Sequence, residues 1–236
     1  MSQAVAMEER VYDLNQQSVR DLNQALHDFN GTRETSRWRV LNPKGEHAIA
    51  CGLDNHAEVI VEGHVGYYCA GMNQHASVTV NGNAGTGLAE NMMSGVVRIT
   101  GNASQSAGAT GHGGLLVIDG DAAARCGISL KGLDIVVKGS VGHMSGFMAQ
   151  KGTIVICGDA GAALGDSIYE AEIFLAGNCP ELGADCEEKP MSDDDRKRLI
   201  ALLDQAGGTI DPNSFRKFGS ARKLYNFSID NADAYA

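Results

Sequence analysis

Positive charge is scarce in this chain: 19 Lys and Arg stand against 29 Asp and Glu, a net charge of −10. That balance excludes the basic surface that nucleic acid or an anionic membrane requires. Long hydrophobic runs are missing as well. No stretch approaches the ~20 apolar residues that cross a bilayer. Residues 1–10 hold no hydrophobic signal core, so a cytoplasmic protein is expected. The six cysteines (Cys51, Cys69, Cys126, Cys157, Cys179 and Cys186) form no C-x-x-C pair. Free thiols are therefore expected. No nucleophile–base pair, no framed pair of carboxylates and no ligand-spaced His/Cys cluster can be read. No catalytic, cofactor-binding or metal-binding residue is assigned.

Glycine is what the chain has in excess, 30 residues against a usual ~7%. Much of it is periodic. Gly63, Gly82, Gly101, Gly120, Gly139, Gly158 and Gly177 follow one another at 19 residues without insertion or deletion. Two and four positions before each glycine stands an aliphatic residue, from Val59 and Val61 in the first unit to Ile173 and Leu175 in the last. Side chains two apart share one face of a strand, so these pairs form one apolar stripe. The residue just before the glycine (Glu62, Asn81, Thr100, Asp119, Lys138, Cys157, Ala176) is expected to face mostly solvent. Small residues recur three and seven places after the glycine, for example Gly66 and Ala70, or Gly161 and Gly165. Either the backbone there takes positive φ, or neighbouring coils approach too closely for a side chain.

These features define an all-β protein: a parallel β-helix of seven 19-residue coils, with short helical caps at both ends. One coil cannot bury its own apolar face, and stacking several makes the core. Coils spaced by about 4.8 Å give a rod roughly 34 Å long. The glycines do not suit a dinucleotide fingerprint, because no crossover helix fits in the period. No leucine-rich frame recurs either.

Three regions follow: an N-terminal cap (1–56), the β-helix (57–187) and a C-terminal helix and tail (188–236). In the cap, a short strand is expected at 11–14. A helix should start at Ser18, boxed by Asp21, and end at Asn30-Gly31. A strand at 37–41 and a turn at 42–45 follow. A degenerate coil is then expected, with Gly52 in the place of Gly71 and Val40 in that of Val59. Trp38 should pack in the cap. After Pro180 the coils decay. Ser192 should cap a helix with Leu199, Ile200, Leu202 and Leu203 on its apolar face, ended by Gly207-Gly208. The tail mixes Phe215, Phe218, Leu224, Tyr225 and Phe227 with Arg216, Lys217, Arg222 and Lys223. It either packs back on the rod or docks on an acidic partner. Gly108, Gly111, His112, Gly113 and Gly114 are either tight corners or a surface approached by a partner. With Arg222 and Tyr225 they are the candidate interface residues. His56, His64, His75, His112 and His143 look scattered, which argues against a metal ladder.

The Gly-x-x-Gly-x-x-x-Gly coil resembles the C-terminal domain of the glutamate synthase large subunit. Formylmethanofuran dehydrogenases have a subunit family that shares this domain. Stretches such as Gly63-His64-Val65-Gly66-Tyr67-Tyr68-Cys69-Ala70-Gly71-Met72 and Gly165-Asp166-Ser167-Ile168-Tyr169-Glu170-Ala171 look like its stand-alone form, the GlxC-type subunits of N-methylglutamate synthases. Ser104, Ala123 and Pro180 depart from the glycine pattern. The resemblance implies a right-handed β-helix that serves as a non-catalytic subunit of a hetero-oligomer, which converts methylamine and L-glutamate to N-methyl-L-glutamate and ammonia. Its partners would be an amidotransferase-like subunit and an FMN-dependent glutamate synthase-like subunit. FMN and an iron–sulfur cluster would sit on the synthase subunit, and no cofactor on this chain. Two other readings are a scaffold of a formylmethanofuran dehydrogenase-type complex and a polysaccharide-cleaving β-helix using Glu62, Asp119, Asp121 and Asp159. Glu62 and Asp119 are three coils apart, about 14 Å, beyond the ~5–9.5 Å of glycosidase pairs.

Overall fold

A computed structural model describes residues 9–29, 37–208 and 210–222. Seven strands repeat the period: β3 (Glu58–Glu62), β4 (Ser77–Val80), β5 (Val96–Ile99), β6 (Leu115–Ile118), β7 (Lys131–Val137), β8 (Lys151–Ile156) and β9 (Glu172–Leu175). They pair in parallel and in sequence order. Val59 stands beside Val78, Val78 beside Val97, and the row continues through Leu116, Ile135 and Ile154 to Ile173. All fourteen aliphatic residues of the stripe are fully buried. A second parallel ladder, one bridge wide, follows the first six coil glycines at Val65, Ala84, Ala103, Ala122, Val141 and Ala160. The fold is an all-β parallel solenoid.

The N-terminal cap adds two strands, β1 (Glu9–Asp13) and β2 (Arg37–Leu41), on the β3 edge. Here the expected alignment needs correction. Trp38 stands beside Val59 and Val40 beside Val61, so Val40 does not take the place of Val59. Gly52 takes the place of Met72, not Gly71. Ala48, Ala50 and Gly52 repeat the positive φ of Tyr68, Ala70 and Met72. The Gly52 N–H donates to Gly71 O as that of Met72 donates to Glu90 O. The cap coil carries one extra residue before its corner and one after it, which a fixed period cannot reveal. Trp38 is buried, edge-on to Phe29.

Helix α1 (Val19–His27) starts at Ser18 with a full capping box to Asp21. It stops earlier than expected, at Asp28. The Leu26 carbonyl, which a further turn would need, accepts instead from Asn55 Nδ2 at 2.7 Å. Residues 30 and 31 lie outside the described residues. Leu22 and Leu26 close the end of the solenoid core.

At the other end the coil after Gly177 closes one residue early, with Leu182 beside Leu164. Strand β10 (Cys186–Lys189) and helix α2 (Asp193–Ala206) follow. Ser192 and Asp195 form a capping box, and Gly207 ends the helix at φ 68°. Its buried stripe is Leu199, Leu202, Leu203 and Ala206, spaced i, i+3, i+4, i+7. Ile200 falls off that stripe and is 42% exposed, contrary to expectation. The stripe packs on the outer face of the last four coils, against Val117, Val136, Val155 and Phe174. Cys157 and Ala176, expected to face solvent, lie half-buried against this second core. The tail holds an unexpected strand, β11 (Arg216–Ser220), antiparallel to both β9 and β10. Phe215 packs under α2 and Phe218 joins the solenoid core. As far as Arg222, then, the tail packs back on the rod.

Candidate functional site

The solenoid presents three surfaces, and the chemistry of each follows from the coil. The first is the glycine corner. Both explanations for small residues apply, at different positions. A Cβ on Gly82 would lie 2.6 Å from the Gly63 carbonyl, and one on Gly158 2.7 Å from the Gly139 carbonyl carbon. The residue after each glycine completes the reason. Asn83 Oδ1 accepts the Asn102 N–H at 2.8 Å, and Asn102 Oδ1 accepts that of Asp121 at 2.8 Å. The ladder continues through Asp121, Ser140 and Asp159 to the N–H of Asn178. His64 heads it, its Nδ1 accepting the Asn83 N–H at 2.9 Å. Any Cβ on Gly101, Gly120 or Gly139 would fall on a ladder oxygen. The signal was present in the sequence as a run of short polar residues after the glycines, and reading for apolar periodicity passes over it.

The second surface is an arc from five to nine places after the glycine. Every other residue has positive φ, as at Tyr68, Ala70 and Met72 or at Arg125, Gly127 and Ser129. That conformation costs non-glycine residues about 1–2 kcal/mol. Their hydrogen bonds offset it. The Tyr68 and Met72 N–H groups donate forward to Thr86 and Glu90, while that of Ala70 donates back to Ile49. Met72 and Met148 stand 45% exposed at the end of this arc, Tyr67 55% exposed just before it, and Met93 47% exposed at the corner beyond it.

The candidate interface residues divide over this surface. Gly108 and Gly111 are buried, and a Cβ on either would lie 2.6 Å from Ile135 or Leu133 of the core. His112 and Gly114 are exposed and Gly113 half-exposed at the next corner. Arg222 sits apart from them, at the C-terminal end, ion-paired to Asp185. Tyr225 lies outside the described residues.

The third surface is a groove of about 580 Å³ between α2, β10, β11 and the corner at Tyr169. Its floor is ionic. Lys217, 13% exposed, reaches Glu172 at 2.5 Å and Asp195 at 2.7 Å. Burial alone would raise the Asp195 carboxyl, but hydrogen bonds from Lys217 and Ser192 hold it below its usual value. Burial alone would lower the Lys217 amine, but the two carboxylates raise it. The depressed Asp195 therefore stabilises the fold above its unfolded value near ~3.9, and that contribution is lost as pH falls through its folded value. The raised Lys217 contributes below ~10.4 and is lost as pH rises through its folded value. Lys217→Met should cost about 1–3 kcal/mol near pH 7, since it leaves Glu172 with Arg198 alone and Asp195 with Ser192 alone. Urea midpoints at pH 6 and pH 3 check this: the variant should lose less than the wild type on acidification. Parallel losses would show that the pairing does not hold α2 to the rod.

The remaining reactive groups are quiet. Burial pushes the thiols of Cys51, Cys157 and Cys186 up to about 11 and that of Cys126 to about 12, and it raises Cys69. Such thiols are not nucleophiles at neutral pH. The carboxylates that a polysaccharide-cleaving site would need are engaged. Glu62 binds Arg39, Asp119 binds Arg98 and Lys138, and Asp121 and Asp159 belong to the ladder. Among the described residues no group of three His, Cys, Asp or Glu is placed to hold a metal, and no helix is long and apolar enough to cross a membrane. One expectation about the histidines changes. His56 and His75 are one period apart, and their rings stack at 5.1 Å between centroids.

A capped parallel solenoid with a core of stacked aliphatic rows and a hydrogen-bonded polar ladder is the class of protein defined here. No family model matches the chain. It is 56% identical over 226 residues to Protein GlxC of Rhizobium meliloti (strain 1021), spanning 95% of this chain and 99% of that protein. The chain belongs to the GlxC family.

Proposed function

We propose that this chain is the assembly subunit of a glutamate synthase-like complex of the N-methylglutamate synthase type. It would hold an amidotransferase-like subunit and an FMN- and iron–sulfur-bearing synthase subunit together. The complex would convert methylamine and L-glutamate to N-methyl-L-glutamate and ammonia. Kinship with Protein GlxC over the full length supports the subunit type. The observation that carries the scaffold role is the arc. Its backbone is hydrogen-bonded to both neighbouring coils, and with Tyr67 just before it, it holds Met72 and Met148 out in solvent. Large apolar side chains presented from a fixed backbone are what a protein interface uses as anchors.

The test is a mild pulldown of the chain from its native source, with mass spectrometry and a flavin absorbance spectrum. Recovery of a flavin-bearing synthase chain and an amidotransferase-like chain is expected. A lone colourless chain, or partners that assemble and turn over normally without it, would overturn the reading.

A further inference from the structure

We propose that His56 and His75 form a surface site for a borderline divalent transition-metal ion of the Ni²⁺, Zn²⁺ or Cu²⁺ kind. The two residues are repeat equivalents on the corner that leads into the sheet, seven places before Gly63 and Gly82. Stacked coils hold equivalent positions about 4.8 Å apart, so the fold itself brings the imidazoles together. The rings lie 5.1 Å apart at 22° between planes, and both residues are exposed. Among the described residues no salt bridge with a carboxylate engages either ring. The third member of the row is Ser94, whose Oγ lies 3.4 Å from His75 Nδ1. With Nδ1 turned to that hydroxyl, Nε2 is the donor left for an ion. An oxygen partner on the other ring nitrogen is the usual second support of a metal-binding histidine.

Metal–nitrogen distances of about 2.0–2.1 Å put two donors on one ion roughly 3 Å apart. Both residues are exposed and their rings are 22° from parallel, so side-chain rotation can bring one nitrogen of each to this distance. Imidazole suits borderline metals and not Mg²⁺ or Ca²⁺, and water would fill the other positions. The next positions of the row, Gly113 and Gly132, carry no ligand, so the site holds one ion.

Titration of the untagged, chelator-treated full chain with Ni²⁺ alone, followed by calorimetry, tests this. Ni²⁺ is chosen because it does not oxidise the thiols. One ion per chain is expected. His56→Ala and His75→Ala should each weaken it at least tenfold, and the double variant should abolish it. His143→Ala, at an exposed histidine with no ring stacked on it among the described residues, should bind as the wild type does. Circular dichroism confirms that the variants fold. Binding unchanged in both single variants, equal loss in His143→Ala, or no saturable binding by the wild type would overturn the proposal.

Discussion

Gly120→Ala is expected to lower stability by about 3 kcal/mol, although it adds a single methyl group at a half-exposed position. The added Cβ would fall on Asn102 Oδ1 and lie 2.8 Å from the Gly101 carbonyl oxygen and 3.0 Å from its carbon. The Asn102 side chain can swing away, but it then abandons the Asp121 N–H, which it holds at 2.8 Å. That loss costs about 1 kcal/mol. The Gly101 backbone cannot move aside, because its carbonyl accepts the Gly120 N–H at 3.1 Å and its own N–H reaches Gly82. Forcing the coils apart adds about 1–3 kcal/mol of overpacking. The strain arises from close approach alone, since Gly120 is not in the left-handed region. Gly208→Ala is the matched control. Its Cβ would meet nothing nearer than 3.5 Å, and it should be close to neutral. Urea unfolding midpoints of the two variants decide the matter. Equal midpoints would mean that the coil glycines are a habit of the repeat and not a requirement of its stacking.

That glycine shows which parts of the fold can be read from sequence and which cannot. Strands β3 to β9 are legible because inward pairs such as Ile135 and Val137 repeat every 19 residues and every coil must bury them alike. The ladder from His64 to Asn178 repeats as strictly, but a polar residue after a glycine also suits an ordinary turn, so it carries little weight alone. The cap coil escapes for another reason. It lacks the glycine that marks the period, and its two extra residues bring Trp38 rather than Val40 beside Val59. Strand β11 depends on pairing with β9, some forty residues earlier in the chain, and its sequence Arg-Lys-Phe-Gly-Ser has no alternation that declares a strand. The His56–His75 stack was available by subtraction, yet only the parallel register makes it a contact. Glycines of the candidate interface were visible, whereas their division into core-facing Gly108 and Gly111 and surface Gly113 and Gly114 was not.

Asn23→Ala should destabilise the N-terminal cap by about 2–4 kcal/mol through two stranded backbone groups. The first arc has no preceding coil, so the donor and acceptor it turns back toward that end need a substitute. Asn23 supplies both. Its Nδ2 donates to Ala48 O at 2.8 Å, and its Oδ1 accepts the Ala50 N–H at 2.9 Å. Within the rod the same N–H belongs to a coil below, as when Ala70 donates to Ile49 O. One amide side chain on α1 therefore imitates a turn of solenoid. Four residues along the same helix, His27 Nε2 meets the Cys51 carbonyl at 2.9 Å. Asn23→Asp separates this from generic packing. The carboxylate keeps the acceptor for Ala50 but faces the Ala48 carbonyl without a proton to give. At neutral pH it should be nearly as damaging as alanine. Once protonated it can donate again, so its deficit against the wild type should shrink as pH falls towards ~4, while the alanine deficit stays constant. Amide exchange at Ala50 should accelerate in Asn23→Ala and not elsewhere in the rod. An alanine variant with wild-type stability would mean that water serves the arc as well as Asn23 does. The open end of a solenoid would then need no polar cap, only the apolar lid of Leu22 and Leu26.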